Sequence, residues 1–119
     1  MVLSGHLYSC PNLAGTWTCD DGEEEYEFTL EQSVNADGHT VYDDGEAPII
    51  ADGQWHDSEE SGEYKATCES DTVLQIDGKD GNADIETTIT LTSANTSIQK
   101  VKVISPDFGE FELEQTCSK

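Results

Sequence analysis

The chain has 119 residues with 26 acidic and five basic side chains, which gives a formal net charge of −21 at pH 7. One domain of ordinary size is expected at this length, and no apolar run approaches the roughly 18 residues of a membrane-spanning helix. All the cations are lysines and the first is Lys65. The composition therefore argues against nucleic acid and anionic lipid as partners. It favours either a solubilising role for the acidic residues or a cationic partner.

Residues 1–9 precede the first cysteine and are predicted to be a disordered segment or a remnant of expression, with a single domain over residues 10–119. The segment Leu7-Tyr8-Ser9-Cys10 resembles the end of a bacterial lipoprotein signal, but the residues before it are too few for the charged and apolar regions of such a signal. A lipid on Cys10 would also leave one of the other cysteines unpaired. We therefore interpret Cys10 as a disulfide partner in preference to a lipid anchor.

The first predicted strand covers residues 14–20 and is introduced by Leu13-Ala14-Gly15-Thr16-Trp17. Gly-x-Trp at the start of a first strand resembles the short signature of the calycins, and the order of Cys10, Leu13 and Gly-x-Trp is similar to the opening of an avidin-type chain. The resemblance implies a small β-barrel, in which Gly15 lets the chain bend and Trp17 fills one end with its indole N–H bonded. Biotin binding is not implied, because the chain has two tryptophans and lacks the series that stacks on biotin in avidins.

Three further strands are predicted over residues 25–34, 39–43 and 47–56, the last with a break. Tyr26, Phe28 and Leu30 alternate with polar residues, which is the period of a strand with one solvated face. Asp-Gly pairs at 21–22, 37–38, 44–45 and 52–53 mark tight turns between these strands. The candidate ligand-binding residues are Trp55 and His56, which lie in the polar break, together with Tyr42 and Tyr64.

The strands predicted over residues 63–69 and 72–77 lead into an acidic loop with Asp-Gly pairs at 77–78 and 80–81. Asp80-x-Asn82-x-Asp84 begins the pattern of a calcium loop, but Ile85 and Leu91 stand where that loop needs glycine and a bidentate glutamate. A plain hairpin is predicted, with weak Ca²⁺ binding as the alternative and no other cofactor. The ligands in that alternative would be Asp77, Asp80, Asn82, Asp84 and Glu86.

The last strands are predicted over residues 84–92, 97–104 and 109–117, where apolar and polar residues again alternate. No window of the chain carries a helical apolar stripe. The predicted fold is therefore all-β, an antiparallel up-and-down meander of eight to nine strands that closes or nearly closes into a small barrel. The alternative is a β-sandwich.

Four cysteines, Cys10, Cys19, Cys68 and Cys117, lack the Cys-x-x-Cys spacing of metal sites and indicate two disulfides formed in an oxidising compartment. The protein is therefore predicted to be secreted or periplasmic. A straight strand between Cys10 and Cys19 would hold their Cα atoms beyond the ~7 Å limit of a disulfide, which disfavours that bridge. The pairings 10–117 with 19–68 and 10–68 with 19–117 both remain open at this point.

No catalytic residues are predicted, because His39 and His56 lack the spacing of zinc ligands and no Gly-x-Ser-x-Gly elbow occurs. The predicted function is a non-enzymatic binding module that holds a small molecule in a barrel or presents loops to a protein partner, with an enzyme as the minor alternative. The other alternative is an interaction protein, such as a protease inhibitor or adhesin, whose lumen is filled by large residues. A cavity of several hundred Å³ would favour the small-molecule function. The residues that would fill the lumen are Tyr26, Phe28, Tyr64, Phe108 and Phe111.

Overall fold

The strands of the structure alternate with short turns along the whole described chain. The computed structural model describes residues 10–58 and 62–119, so the prediction for residues 1–9 lies outside the described residues. The described residues form ten strands and no helix: β1 (Gly15–Asp20), β2 (Glu25–Val34), β3 (Thr40–Asp43), β4 (Pro48–Ala51), β5 (Trp55–Asp57), β6 (Glu63–Cys68), β7 (Val73–Asp80), β8 (Ala83–Ser93), β9 (Thr96–Ser105) and β10 (Gly109–Ser118).

All these strands belong to one antiparallel sheet in the order β4-β3-β2-β1-β10-β9-β8-β7-β6-β5. Every strand pairs with its sequence neighbours except at β4 and β5, and β10 also pairs with β1. The sheet therefore follows the path of an up-and-down barrel that is open between β4 and β5. We name this opening the seam. The predicted all-β meander is confirmed, and its single sheet curled into a half-barrel excludes a sandwich of two separate sheets.

Two local differences from the prediction have clear causes. The interval 47–56 forms two strands around the turn at Asp52 and Gly53, which raises the strand count to ten. The pair Asp77-Gly78 lies inside β7, where Gly78 is opposite both Tyr64 of β6 and Ile85 of β8. Because a neighbouring strand pairs with this segment on each side, the ladder continues through a dipeptide whose local preference is a turn.

The core lies at one end of the barrel, which we name the closed end. Residues 10–14 cross this end before β1 begins, and their backbone is bonded to three strands. The Leu13 N–H donates to Gln32 Oε1 (2.8 Å), the Pro11 carbonyl accepts the Tyr42 hydroxyl (2.7 Å), and the Leu13 carbonyl accepts the indole N–H of Trp17 (2.9 Å). Leu13 and Trp17 are each 2% exposed, so this segment and the indole seal the barrel together.

Gly15 adopts a backbone conformation that favours glycine, with φ at +126°. A Cβ atom there would also lie 3.3 Å from Cε of Lys119, whose ammonium group sits 5.0 Å from the centre of the Trp17 ring. Glycine therefore permits both the turn into β1 and the approach of the C-terminal lysine to the buried indole.

Two disulfides reinforce the closed end. Cys19 and Cys117 are directly opposite each other in the β1–β10 ladder, so their bridge links the first strand to the last. Cys10 bridges to Cys68 at the end of β6 and anchors the crossing segment to the far wall. The structure thus selects one of the two open pairings, and such bridges are typical of an oxidising compartment. Within the described residues, no helix has the length and apolar character needed to cross a membrane.

The barrel wall has unequal height. Strands β8, β9 and β10 have 11, 10 and 10 residues, whereas β3, β4 and β5 have 4, 4 and 3. The molecule is accordingly elongated, with extents of 50 × 29 × 23 Å. The long strands rise beyond the core at the end opposite the crossing segment, which we name the open end, and part of their inner face meets solvent there.

Candidate functional site

A groove of about 320 Å³ lies on the inner face of the half-barrel, above the sealed core. Alternation along the strands directs apolar side chains into it, because every second residue of a strand faces the same side. We name it the barrel groove. Its apolar lining is Leu13, Phe28, Leu30, Ile49, Leu74, Ile76 and Ile89, and its polar lining is Tyr26, Tyr42, Asp44 and Gln99.

The polar groups of the barrel groove lie at its edges. A hydrogen-bonded row crosses the upper edge, where the Gln115 side-chain amide donates to Gln99 Oε1 (2.9 Å) and to the Tyr26 hydroxyl. Tyr42 is buried at the lower edge, where its hydroxyl donates to the crossing segment and burial raises the pKa of the phenol far above its usual range. Asp44 is exposed at the rim. The floor is therefore apolar, while hydrogen-bonding groups and one carboxylate surround it.

The seam contains a second concavity of about 550 Å³, which we name the seam cleft. Side chains of β4 line it together with His56 and Tyr64, whose ring centres are 5.3 Å apart. The Tyr64 hydroxyl accepts the Ile50 N–H (3.1 Å), and the Gly53 N–H donates to the Ala66 carbonyl (2.8 Å). These bonds hold the seam together where a strand ladder is missing.

His56 is engaged by a carboxylate of the connection between β4 and β5. Its Nε2 lies 2.9 Å from Asp52 Oδ2, and the Asp52 side chain is 15% exposed. Burial acts to raise the pKa of Asp52, but the hydrogen bonds from His56 and the Gln54 N–H, with the charges of His56 and His39, hold that pKa below its usual range. The imidazole therefore stabilises this connection.

Trp55 points away from His56, because successive residues of a strand face opposite sides of the sheet. It is opposite Lys65 on the outer face, and its ring lies 5.4 Å from Nζ of Lys65 and 5.0 Å from Nζ of Lys79. The four predicted ligand-binding residues are thus divided among three places: Tyr42 in the barrel groove, His56 and Tyr64 in the seam cleft, and Trp55 on the convex surface. No protein-family model, curated protein or solved structure matches this chain.

The lumen is not filled by all the large residues expected there. Phe108 lies in the turn between β9 and β10 and is 84% exposed, and Phe111 is 46% exposed at the open end. These two residues do not fill the lumen, because they lie where the long strands rise above the shorter wall on the other side.

Sequence alternation marked Phe28, Leu30 and, in the strand predicted over residues 84–92, Ile89 as inward-facing, but it did not single out the groove residues Ile49 and Ile76. The signal for Ile76 is the same period-two pattern, which also describes residues of a packed core, whereas Ile49 lies in an apolar run with no alternation. An inward-facing residue can border a groove or lie in a packed core, depending on the curvature of the sheet. That curvature is a property of all the strands together.

The residues that would be ligands in the calcium alternative lie on a regular hairpin with a two-residue turn at Gly81 and Asn82. Asp77 is opposite Glu86 and Lys79 is opposite Asp84 on the outer face, whereas Asp80 is opposite Ala83 on the other face. The Asp77–Glu86 pair is flanked in its row by Lys65 and Lys102 on the adjacent strands. No cluster of three or more metal-ligating side chains occurs in the part of the chain that the structure describes.

Calcium and magnesium are expected to shift the melting temperature equally at equal ionic strength, because no three metal-ligating side chains come together in the described part of the chain and the outer-face carboxylates of the hairpin have lysines as ladder neighbours. The measurement is thermal unfolding at millimolar concentrations of either ion. If a calcium site existed, calcium at ten times its dissociation constant would add about 1.4 kcal/mol to the free energy of unfolding. That gain would raise the melting temperature by several degrees. A larger shift with calcium that disappears in Asp80→Asn/Asp84→Asn would establish the calcium site instead.

Proposed function

We propose that the protein is a secreted or periplasmic, non-enzymatic binding module that holds a small, largely apolar molecule in the barrel groove. The observation that carries this proposal is the space of about 320 Å³ above a sealed core, lined mainly by aliphatic and aromatic side chains. Ligand sites are typically concave, apolar and of this order of volume, with a few polar groups that orient the ligand. Tyr26, Asp44 and Gln99 are the polar groups in position to do so.

The negative charge of the protein restricts the kind of ligand that the groove is expected to bind. Asp44 stands at the rim, and the chain carries a formal net charge of −21. A negative field of this size lowers the local concentration of anions and raises that of cations. The proposed ligand is therefore neutral or cationic, with an apolar body that displaces water from Leu30, Ile76 and Ile89.

We also propose that the barrel is related in architecture to the calycins. It is supported by the position of Gly15 and Trp17 at the entry to β1, by the buried indole at the closed end, and by the pairing of the first strand with the last. The ten strands and the open seam depart from the closed eight-stranded barrels of lipocalins and streptavidin. The proposal therefore extends to the barrel and its mouth, and not to any particular ligand of that family.

Two further observations support the non-enzymatic, extracytoplasmic part of the proposal. The ring of His56 in β5 is bonded to Asp52 in the connection that precedes this strand, and we assign the imidazole the structural role of holding that connection. The Cys10 sulfur bridges to Cys68, and a lipid on that sulfur would remove the bridge. Disulfide formation requires an oxidising medium, such as the periplasm or the exterior of the cell.

The proposal is tested by titrating the protein with a neutral naphthylamine dye that fluoresces in apolar surroundings. Ile49→Trp places a larger ring in the barrel groove and is expected to weaken dye binding at least about tenfold. Ile50→Trp is the matched control, because Ile49 and Ile50 both border the seam cleft but only Ile49 also lines the barrel groove. Thermal unfolding of both variants checks that each is folded.

An anionic naphthalene sulfonate of similar size is expected to bind more weakly than the neutral dye, with the difference decreasing as salt is added. Equal binding of the neutral dye to Ile49→Trp and Ile50→Trp would place the dye outside the groove and would refute the proposal.

A further inference from the structure

Strand β10 has a long unpaired edge at the open end of the barrel. Along its whole length it pairs with β9, but it pairs with β1 only through Thr116, Cys117 and Ser118. Within the described residues, the other edge of 109–115 has no strand partner. This edge is roughly 23 Å long, and alternate residues along it direct backbone N–H and C=O groups toward solvent.

The two faces of this edge differ in chemistry. Phe111 and Leu113 lie on the inner face and are 46% and 60% exposed. Glu110, Glu112 and Glu114 alternate with them and are exposed on the outer face. An added strand would therefore meet an apolar surface on one side and a row of carboxylates on the other.

The surface beside this edge continues the same pattern. A concavity of about 490 Å³ lies between β10 and the β1–β2 turn, lined by Val101, Leu113 and the ring of Tyr26 and by the acids Asp21, Glu23 and Glu114. Lys100 and Lys102 of β9 partly balance the row, at 4.0 Å from Glu114 and 3.3 Å from Glu110. The acids still outnumber these lysines, so the surface remains negative.

Charge decides between the possible occupants of the edge. Two copies of β10 paired antiparallel about a two-fold axis would place Glu110, Glu112 and Glu114 against the same residues of the partner copy, and like charges directly opposite each other are destabilising. Exposed edges are often protected from self-association by such charges. The same row attracts a strand with basic residues at the matching positions.

We propose that residues 109–115 bind an extended segment of a cationic protein or peptide, in which basic and apolar residues alternate, as an added β-strand. Backbone hydrogen bonds along the free edge supply affinity, and the two faces of the edge supply the selection of alternating side chains. The apolar residues of the partner cover Phe111 and Leu113, and its basic residues face the glutamate row. Residues 109–115 themselves do not line the barrel groove, although Tyr26 and Gln99 border both concavities, and the proposed strand addition does not require a ligand in the groove.

The probe is a short peptide of alternating lysine and valine, compared with a peptide of the same composition in which all lysines precede all valines. The alternating peptide is expected to bind more tightly and to slow amide hydrogen exchange in residues 109–115. Methylation of alternate backbone nitrogens on the edge-facing side of the peptide is expected to abolish binding, because it removes the strand hydrogen bonds. Equal binding of the alternating and block peptides, or no added protection in 109–115, would refute the proposal.

The contribution of the glutamate row, Glu110, Glu112 and Glu114, is tested with Glu112→Gln/Glu114→Gln. This double variant is expected to bind the alternating peptide roughly three- to tenfold more weakly. The matched control is Glu25→Gln/Glu27→Gln, which removes the same charge from β2, on the far side of β1 from β10. An equal loss of peptide affinity in both variants would show that the glutamates act only through long-range attraction, and it would contradict a binding site at the glutamate row. A concentration-dependent dimer of the free protein, protected at the same amides, would make a second copy the occupant and overturn the proposal.

Ile49→Trp is expected to leave peptide binding unchanged, since Ile49 lies in the barrel groove. The outcomes of the two proposals are thereby independent: loss of dye binding does not predict loss of peptide binding.

Discussion

Replacing Trp17 with alanine is expected to lower the free energy of unfolding by about 3–5 kcal/mol, since removal of a buried aromatic side chain leaves a cavity at the closed end. The indole is 2% exposed, packs in the core with Leu13 and Cys19, and lies beneath the Lys119 ammonium group. The measurement is denaturant unfolding followed by circular dichroism. Trp17→Phe separates the contribution of packing from that of the indole hydrogen bond. It keeps most of the packing and removes the donor to the Leu13 carbonyl, and the loss of that bond is expected to cost about 1 kcal/mol.

The matched control is Trp55→Ala, in which the same side chain is removed from a site that is 40% exposed. The ring there contacts Lys65 and Lys79 on the outer face, and its loss is expected to cost about 1 kcal/mol or less. Comparable losses for the two tryptophans would contradict the closed end as the stability centre of the fold.

Removing the Cys19–Cys117 disulfide with a double alanine substitution is expected to cost about 4–5 kcal/mol. The bridge spans a sequence separation of 98 residues and joins the first strand to the last, so its loss releases nearly the whole unfolded chain. Both cysteines are also buried, at 0% and 1% exposure, and their sulfur atoms leave the core with the substitution. Thermal and denaturant unfolding of the oxidised wild type and the variant measure the difference.

The comparison is the removal of the Cys10–Cys68 bridge, which spans 58 residues. Chain entropy predicts a loss only about 0.5 kcal/mol smaller, because the dependence on loop length is logarithmic. Cys10 and Cys68 are partly exposed, so we expect a total loss about 1 kcal/mol smaller than for the buried bridge. A larger loss from removing Cys10–Cys68 would show that anchoring the crossing segment matters more than joining β1 to β10.

Apart from Asp77-Gly78, which lies inside β7, the Asp-Gly turns of this fold follow from local chemistry, and for this reason the sequence predicts them well. At the β1–β2 turn, the backbone N–H groups of Glu24 and Glu23 donate to Asp21 Oδ1 at 2.9 Å each and hold the pKa of that carboxyl below its usual range. Asp20 accepts the Gly22 N–H (2.7 Å) in the same turn. Bonds of this kind involve residues two or three apart, so an Asp-Gly pair carries most of the information needed.

The sequence by itself determined the all-β class, the antiparallel meander and the presence of disulfides, because alternation, turn chemistry and cysteine content are read within short stretches of chain. The tertiary structure alone decided that Cys19 faces Cys117, that Tyr42 borders a groove while Trp55 lies outside, and that Asp77-Gly78 continues a strand. It also decided where the barrel is open and that β10 rises past β1 with an unpaired edge. These features depend on the stagger and curvature of ten strands, which arise from contacts between residues far apart in the chain.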